Sequence, residues 1–194
     1  KKVKLAVTSG YVSYFVYLSE FEVYGTTAPD VDPPTPDPMT WASVPAPASG
    51  SEAVQSYGFE TPDQGDAGYA YNPVGSVWTF TGGSGLSGPN GPWACDNTST
   101  DPLGDQFAYL QFTAAISKDL TGLTIGKTYE LSFLESYRTA MASGNDLSVI
   151  LDEGLGSEVT IYTNGNVSNV RWEARTTSQF VAAKTSYTLT FRTT

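Results

Sequence analysis

The chain has 194 residues, a formal net charge of −10 and no histidine. That length holds one full domain and part of another. The charge disfavours nucleic acid and anionic membranes as partners, and the lack of histidine removes the commonest general base and transition-metal ligand. Only 15% of residues are charged, against a surplus of Thr, Ser, Gly, Tyr and Trp, a mix that predicts strands and turns rather than helices. No apolar run reaches the length of a membrane-spanning helix. Cys95 is single, so no disulfide framework forms within the chain.

In chain order, residues 3–8 and 14–23 read as two strands joined by a turn at Ser9-Gly10. Such a hairpin is marginal alone and predicts a packing partner elsewhere. Residues 26–52 form a proline-rich linker: Pro33 to Pro38 fix φ and favour an extended spacer, and Trp41 is expected to dock on a neighbouring domain. The main domain runs from residue 53 to residue 194. Strands are expected in "YGFETP", "SVWTFTGGSGLSG", "DQFAYLQF", "TYELSF", "NDLSVILD" and "EVTIYTNG", with two or three more in "VRWEARTTSQFVAAKTSYTLTFRT". Short strands between turn signals, without a helical period, predict an all-β, antiparallel β-sandwich. Tyr129, Leu131 and Phe133 alternate toward its core.

Aromatic rings and planar polar side chains are the usual means of holding a sugar: flat apolar faces stack on the ring, and amides or guanidinium groups satisfy hydroxyl pairs. Tyr69, Tyr71 and Trp93 lie in or beside Gly/Pro/Asn loops and are candidate platforms. Trp78 is a further candidate, although it alternates with Phe80 on one face in the pattern of a core pair. Gln111, Tyr137, Arg138 and Asn145 are the candidate polar partners; Arg138 has an alternative in an ion pair with Glu135 or Asp146. Glu60, Asp63 and Asp66 bring hard oxygen donors into one loop, a candidate calcium site without the EF-hand spacing. The acids sit mainly in turns and in the linker, with no dominant pair flanked by aromatic subsites. A glycosidase is therefore not expected, and the chain is read as non-catalytic.

Two resemblances sharpen these readings. "KLAVTSGYVSYFVYLSEFEVYG" resembles the last two strands of a discoidin-type (coagulation factor type C) domain, which implies that residues 1–25 are the C-terminal hairpin of such a domain. "GFETP", "WTFTGGSGLS", "DQFAYLQ", "ISKDLTGLTIGKTYELSFLESYR" and "NDLSVILD", in that order, resemble galactose-binding-like jelly-roll carbohydrate-binding modules over residues 56–194. The resemblance implies a jelly roll, a polysaccharide ligand, a structural calcium and a secreted or cell-surface, multimodular parent protein that degrades polysaccharide. It also implies one further strand, carrying an Asp pair, after "YTLTFRTT". The expected function is binding of a neutral plant or algal polysaccharide. The alternative is an extracellular assembly or adhesion protein in which a strand from a neighbouring copy, such as the hairpin of residues 3–24, completes the sandwich.

Overall fold

The computed structural model describes residues 15–26, 51–93, 104–136, 138, 145–167 and 172–194. The expected strand at 3–8, Trp41, Cys95 and Tyr137 lie outside the described residues. Eleven strands follow one another: β1 (Phe15–Thr26), β2 (Ser51–Tyr57), β3 (Tyr69–Tyr71), β4 (Thr79–Ser87), β5 (Phe107–Leu120), β6 (Thr128–Ser136), β7 (Asn145–Leu151), β8 (Val159–Val167), β9 (Glu173–Thr176), β10 (Phe180–Val181) and β11 (Tyr187–Thr193). All their pairings are antiparallel.

The strands form two layers joined by β4 and β5, which pass from one layer to the other. In the first layer, Ala114 to Leu120 of β5 pair with β11, which pairs with β7 and through it with β8. In the second, Ala108 to Gln111 of β5 pair with β1, and β1 pairs with β6, which also holds β9 and β10. The crossing point is a bulge: Gln111 faces Gly83 and Ala114 faces Gly82, so Phe112 and Thr113 are extra residues on β5. Phe112 takes φ 56° and Gly82 φ 67°. A Cβ on Gly82 would stand 2.5 Å from the Thr113 carbonyl oxygen and one on Gly83 2.6 Å from that of Gln111, so the strands meet closely here only because both residues are glycine.

The alternation read from the sequence sets the core. Tyr129, Leu131 and Phe133 of β6 point between the layers, and Leu189 and Phe191 of β11 and Leu147 and Val149 of β7 answer them. Phe133 and Phe191 close the gap with ring centroids 5.8 Å apart. Side chains of this size bury about 1.5–3 kcal/mol each of transfer free energy, which makes this interface the main source of stability. β1 belongs to it: its residues 15–18 pair with β5 and its residues 21–26 with β2, while β6 runs along its other edge, and Val23 is fully buried. Residues 15–25 of the segment that resembles another domain's end are thus part of an inner strand of this sandwich.

Alternate residues of the second layer point outward and are covered as well. Ala108 and Leu110 join the core, so Phe107, Tyr109 and Gln111 face the opposite side, as do Leu134 and Ser136 of β6. Phe107, Tyr109, Leu134 and Ser136 are nevertheless buried. Something packs on this outer face, and most of the candidate ligand residues are there.

Candidate functional site: an aromatic patch on the outer face

The patch starts from β3 and β4. Gly85 of β4 faces Tyr71 on one side and Tyr109 on the other. A Cβ at Gly85 would lie 2.0 Å from the Ala70 carbonyl oxygen and 2.5 Å from the Tyr109 hydroxyl, so glycine lets the two tyrosines close over the strand. Beyond β4 the chain turns back through residues 88–93, tied down by Gly88 N–H to the Gly68 carbonyl (2.9 Å) and Asn90 N–H to the Asp66 carbonyl (2.9 Å). That turn delivers Trp93 onto the tyrosines.

The rings meet mostly edge to face. Trp93 lies 5.5 Å from Tyr69, 6.0 Å from Tyr71 and 5.2 Å from Tyr109, and Tyr71 lies 5.3 Å from Tyr109. Such pairs are favourable beyond their buried area and hold one another's orientation. The Arg138 guanidinium sits 4.7 Å above the Trp93 ring, and its Nη2 donates to the Pro92 carbonyl at 2.7 Å. Tyr71 donates its hydroxyl proton to Gln111 Oε1 at 2.6 Å, which turns the amide's N–H donors the other way. Tyr109 is fully buried beneath, whereas Tyr69 and Tyr71 remain 49% and 42% exposed. Burial pushes the Tyr71 and Tyr109 hydroxyls above their ordinary value of 10.0, so both stay protonated near neutrality. The result is an exposed, preset surface of aromatic edges and faces with an amide and a guanidinium at its rim.

Tyr69, Tyr71, Trp93, Gln111 and Arg138 therefore come together from separate segments, while two other candidates do not join them. Trp78 is 4% exposed and belongs to the core, stacked on Phe59 at 4.8 Å with its Nε1–H donating to the Gly58 carbonyl; with its ring covered, it offers no platform. Asn145 is buried, its Nδ2 directed at the Phe112 carbonyl (3.5 Å) and its Oδ1 accepting from Asp146 N–H, so its amide serves the backbone. The ion pair considered for Arg138 also goes elsewhere: Glu135 takes Arg175, Tyr162 and Asn164 as donors, and Asp146 accepts from Thr194. Sequence reasoning missed Tyr109, hidden inside an apolar run, and Gln106, whose buried amide accepts from Gln64 N–H and donates to the Phe59 and Pro62 carbonyls. The only signal for Gln106 was an amide standing just before the apolar residues of β5.

Glu60, Asp63 and Asp66 line one cavity of about 480 Å³, together with Asp105, on the side of the 88–93 turn marked by Pro89. Burial, then repulsion from Asp105 and Asp63, raises the Glu60 carboxyl above its ordinary 4.5 against the pull of backbone donors at Asp105 and Gln106. Each of the three expected ligands is engaged locally: Glu60 accepts from Asp105 N–H (3.0 Å), Asp63 from Gly65 N–H (2.7 Å) and Asp66 from Asn90 Nδ2 (2.8 Å). Among the described residues no three His, Cys, Asp or Glu side chains are grouped so as to hold a metal ion. Comparison of the chain with protein-family models, with curated proteins and with solved structures gives no match in any of the three.

Proposed function

We propose that the chain is a non-catalytic carbohydrate-binding module, of galactose-binding-like jelly-roll type, from a secreted multimodular protein that acts on polysaccharide. The observation that carries this reading is the outer-face patch: exposed Tyr69 and Tyr71, Trp93 behind them, and Gln111 and Arg138 at the rim. Solvent-facing aromatic rings set by edge contacts suit the C–H faces of a sugar, and N–H donors suit its hydroxyl oxygens. The acidic cavity across the turn, within a chain of net charge −10, favours a neutral glycan over a uronic-acid polymer. Single-site affinity is modest because ordering the glycan offsets much of the contact energy. Tethering to a catalytic domain or to other modules of the parent protein raises the effective concentration at the substrate.

The test is native affinity electrophoresis in gels cast with birchwood xylan, oat β-glucan or agarose, and a pull-down on cellulose, each with and without EDTA. Retardation of the wild type that is lost in Trp93→Ala and kept in EDTA supports the reading. Failure to bind all four glycans would overturn it. A second reading is favoured by one observation, the hydrogen bonding of β1 along both edges inside the sheet. A strand so placed, on a long linker, is able to complete a neighbouring copy and build an extracellular assembly or adhesive array. Sedimentation across a hundredfold range of concentration separates the two: a module stays monomeric, whereas a strand-exchanged assembly grows.

A further inference from the structure

Phe112 has a large apolar ring that is 42% exposed, and its backbone holds φ 56°. A bulky residue seldom adopts that conformation, and it persists only where the surroundings fix it. Here they do: the carbonyl of Phe112 accepts from Thr193 Oγ1 of β11 and from Asn145 Nδ2 of β7, and Gly82 and Gly83 make room opposite. The corner between the layers needs a left-handed residue at 112, which glycine would provide without strain. An aromatic ring in that place is not explained by the needs of the turn.

Its position in the fold suggests what the ring does. Phe112 directly follows Gln111, whose Oε1 accepts the Tyr71 hydroxyl in the patch. Gln111, Phe112 and Thr113 form an accessible run at the bulge, between the buried residues 107–110 and Ala114. Adjacent Cα atoms are about 3.8 Å apart, so amide and ring are within reach of neighbouring units of one extended glycan. We propose that Phe112 is a stacking ring of the same glycan site, so that the site takes two or more consecutive neutral sugars. Asn145, expected from the sequence to contact sugar, is then a positioning residue that acts through the Phe112 carbonyl. This inference rests on the glycan-binding reading above.

The experiment compares wild type, Phe112→Gly, Phe112→Tyr and Trp93→Ala in the same xylan, β-glucan and agarose gels, with thermal unfolding of each. In the gel that retards the wild type most, Phe112→Gly is expected to weaken binding roughly tenfold while unfolding at a temperature no lower than wild type, because glycine relieves the left-handed backbone. Phe112→Tyr, which keeps the ring, is expected to bind like wild type. Wild-type retardation of Phe112→Gly beside a non-binding Trp93→Ala overturns the role of Phe112 and leaves the module reading standing. Loss of binding in Phe112→Gly together with a lower unfolding temperature also overturns it, by making the ring a structural contact. If the wild type is retarded in none of the gels, both the inference and the reading beneath it fall.

Discussion

The two faces of the second layer use aromatic residues in opposite ways. Inward, Phe133 with its partner Phe191 and Tyr129 with Phe180 pack among aliphatic side chains in a closed interior. Outward, Tyr109, the β3 residues Tyr69 and Tyr71, and Trp93 from the turn after β4 pack against one another, with an amide and a guanidinium at the margin. The same strand contributes to both, since Leu110 faces in while Tyr109 and Gln111 face out. The polar tips of the inner rings are met by backbone groups, as Tyr129 accepts from Thr124 N–H and Trp78 donates to the Gly58 carbonyl, whereas the outer Tyr71 meets the Gln111 side chain and keeps an edge in solvent. The difference teaches that an aromatic count does not locate a binding surface. What separates platform from core is a ring edge left to solvent, beside a polar side chain rather than a backbone group.

That contrast is breakable from either side, and the inner face should respond most strongly. Phe133→Ala removes a fully buried ring between the layers and is expected to cost about 3–5 kcal/mol, read as a drop in the urea midpoint. Gly85→Val strikes beneath the outer face: its side chain must displace the Ala70 carbonyl or the Tyr109 ring, at roughly 1–3 kcal/mol. It should also abolish retardation in glycan gels while the core persists in near-ultraviolet circular dichroism. Trp93→Ala is expected to change stability by only about 1 kcal/mol, since the ring is half-buried at the surface, but to weaken glycan binding at least tenfold, about 1.4 kcal/mol. A Trp93 variant that lost stability as Phe133→Ala does would erase the distinction between the faces.

Much of the inner face was legible in the sequence, and the outer face only in part. Period-two alternation in "TYELSFLES" and "YTLTFRT" marks the residues that point into the sandwich. In "FAYLQF" the alternation is masked, because Phe107, Ala108, Tyr109 and Leu110 are all buried, two on each side of the strand. A run of that kind hides which side each residue takes, so Tyr109 does not stand out in it as a site residue. For Trp78 the core-pair alternation with Phe80 is the reading that fits its place, just before β4 and stacked on Phe59. Tyr69, Tyr71 and Trp93 were legible because Gly, Pro and Asn around them mark loops. Their meeting with Gln111 and Arg138 depends on long-range register, which no local pattern carries. Nor does local pattern carry the bulge that turns Phe112 outward, since an unbroken strand through "LQFTA" would have kept strict alternation.

The smallest expected effects come from two buried carboxylates that titrate in opposite directions. Glu135, 1% exposed, accepts from Tyr162, Asn164 and Arg175, yet burial outweighs those donors and holds its carboxyl above the ordinary 4.5. Its protonated form is favoured by folding, so its contribution is full below pH 4.5 and is lost as pH rises through the higher folded value. Asp152 differs: burial would raise it, but Lys184 at 2.6 Å, Thr188 N–H and the Ser157 hydroxyl win and hold it below the ordinary 3.8. Its contribution is complete above pH 3.8 and disappears as pH falls through the lower folded value. In thermal unfolding scans from pH 2.5 to 8, Asp152→Asn should therefore flatten the acid limb of the stability profile. Glu135→Gln should instead flatten the decline above pH 4.5. Both residues lie away from the aromatic patch, so glycan binding by the folded variants should match wild type. A change in gel retardation in either variant would mean that the patch is coupled to the interior electrostatics, and that the two faces of the layer do not act independently.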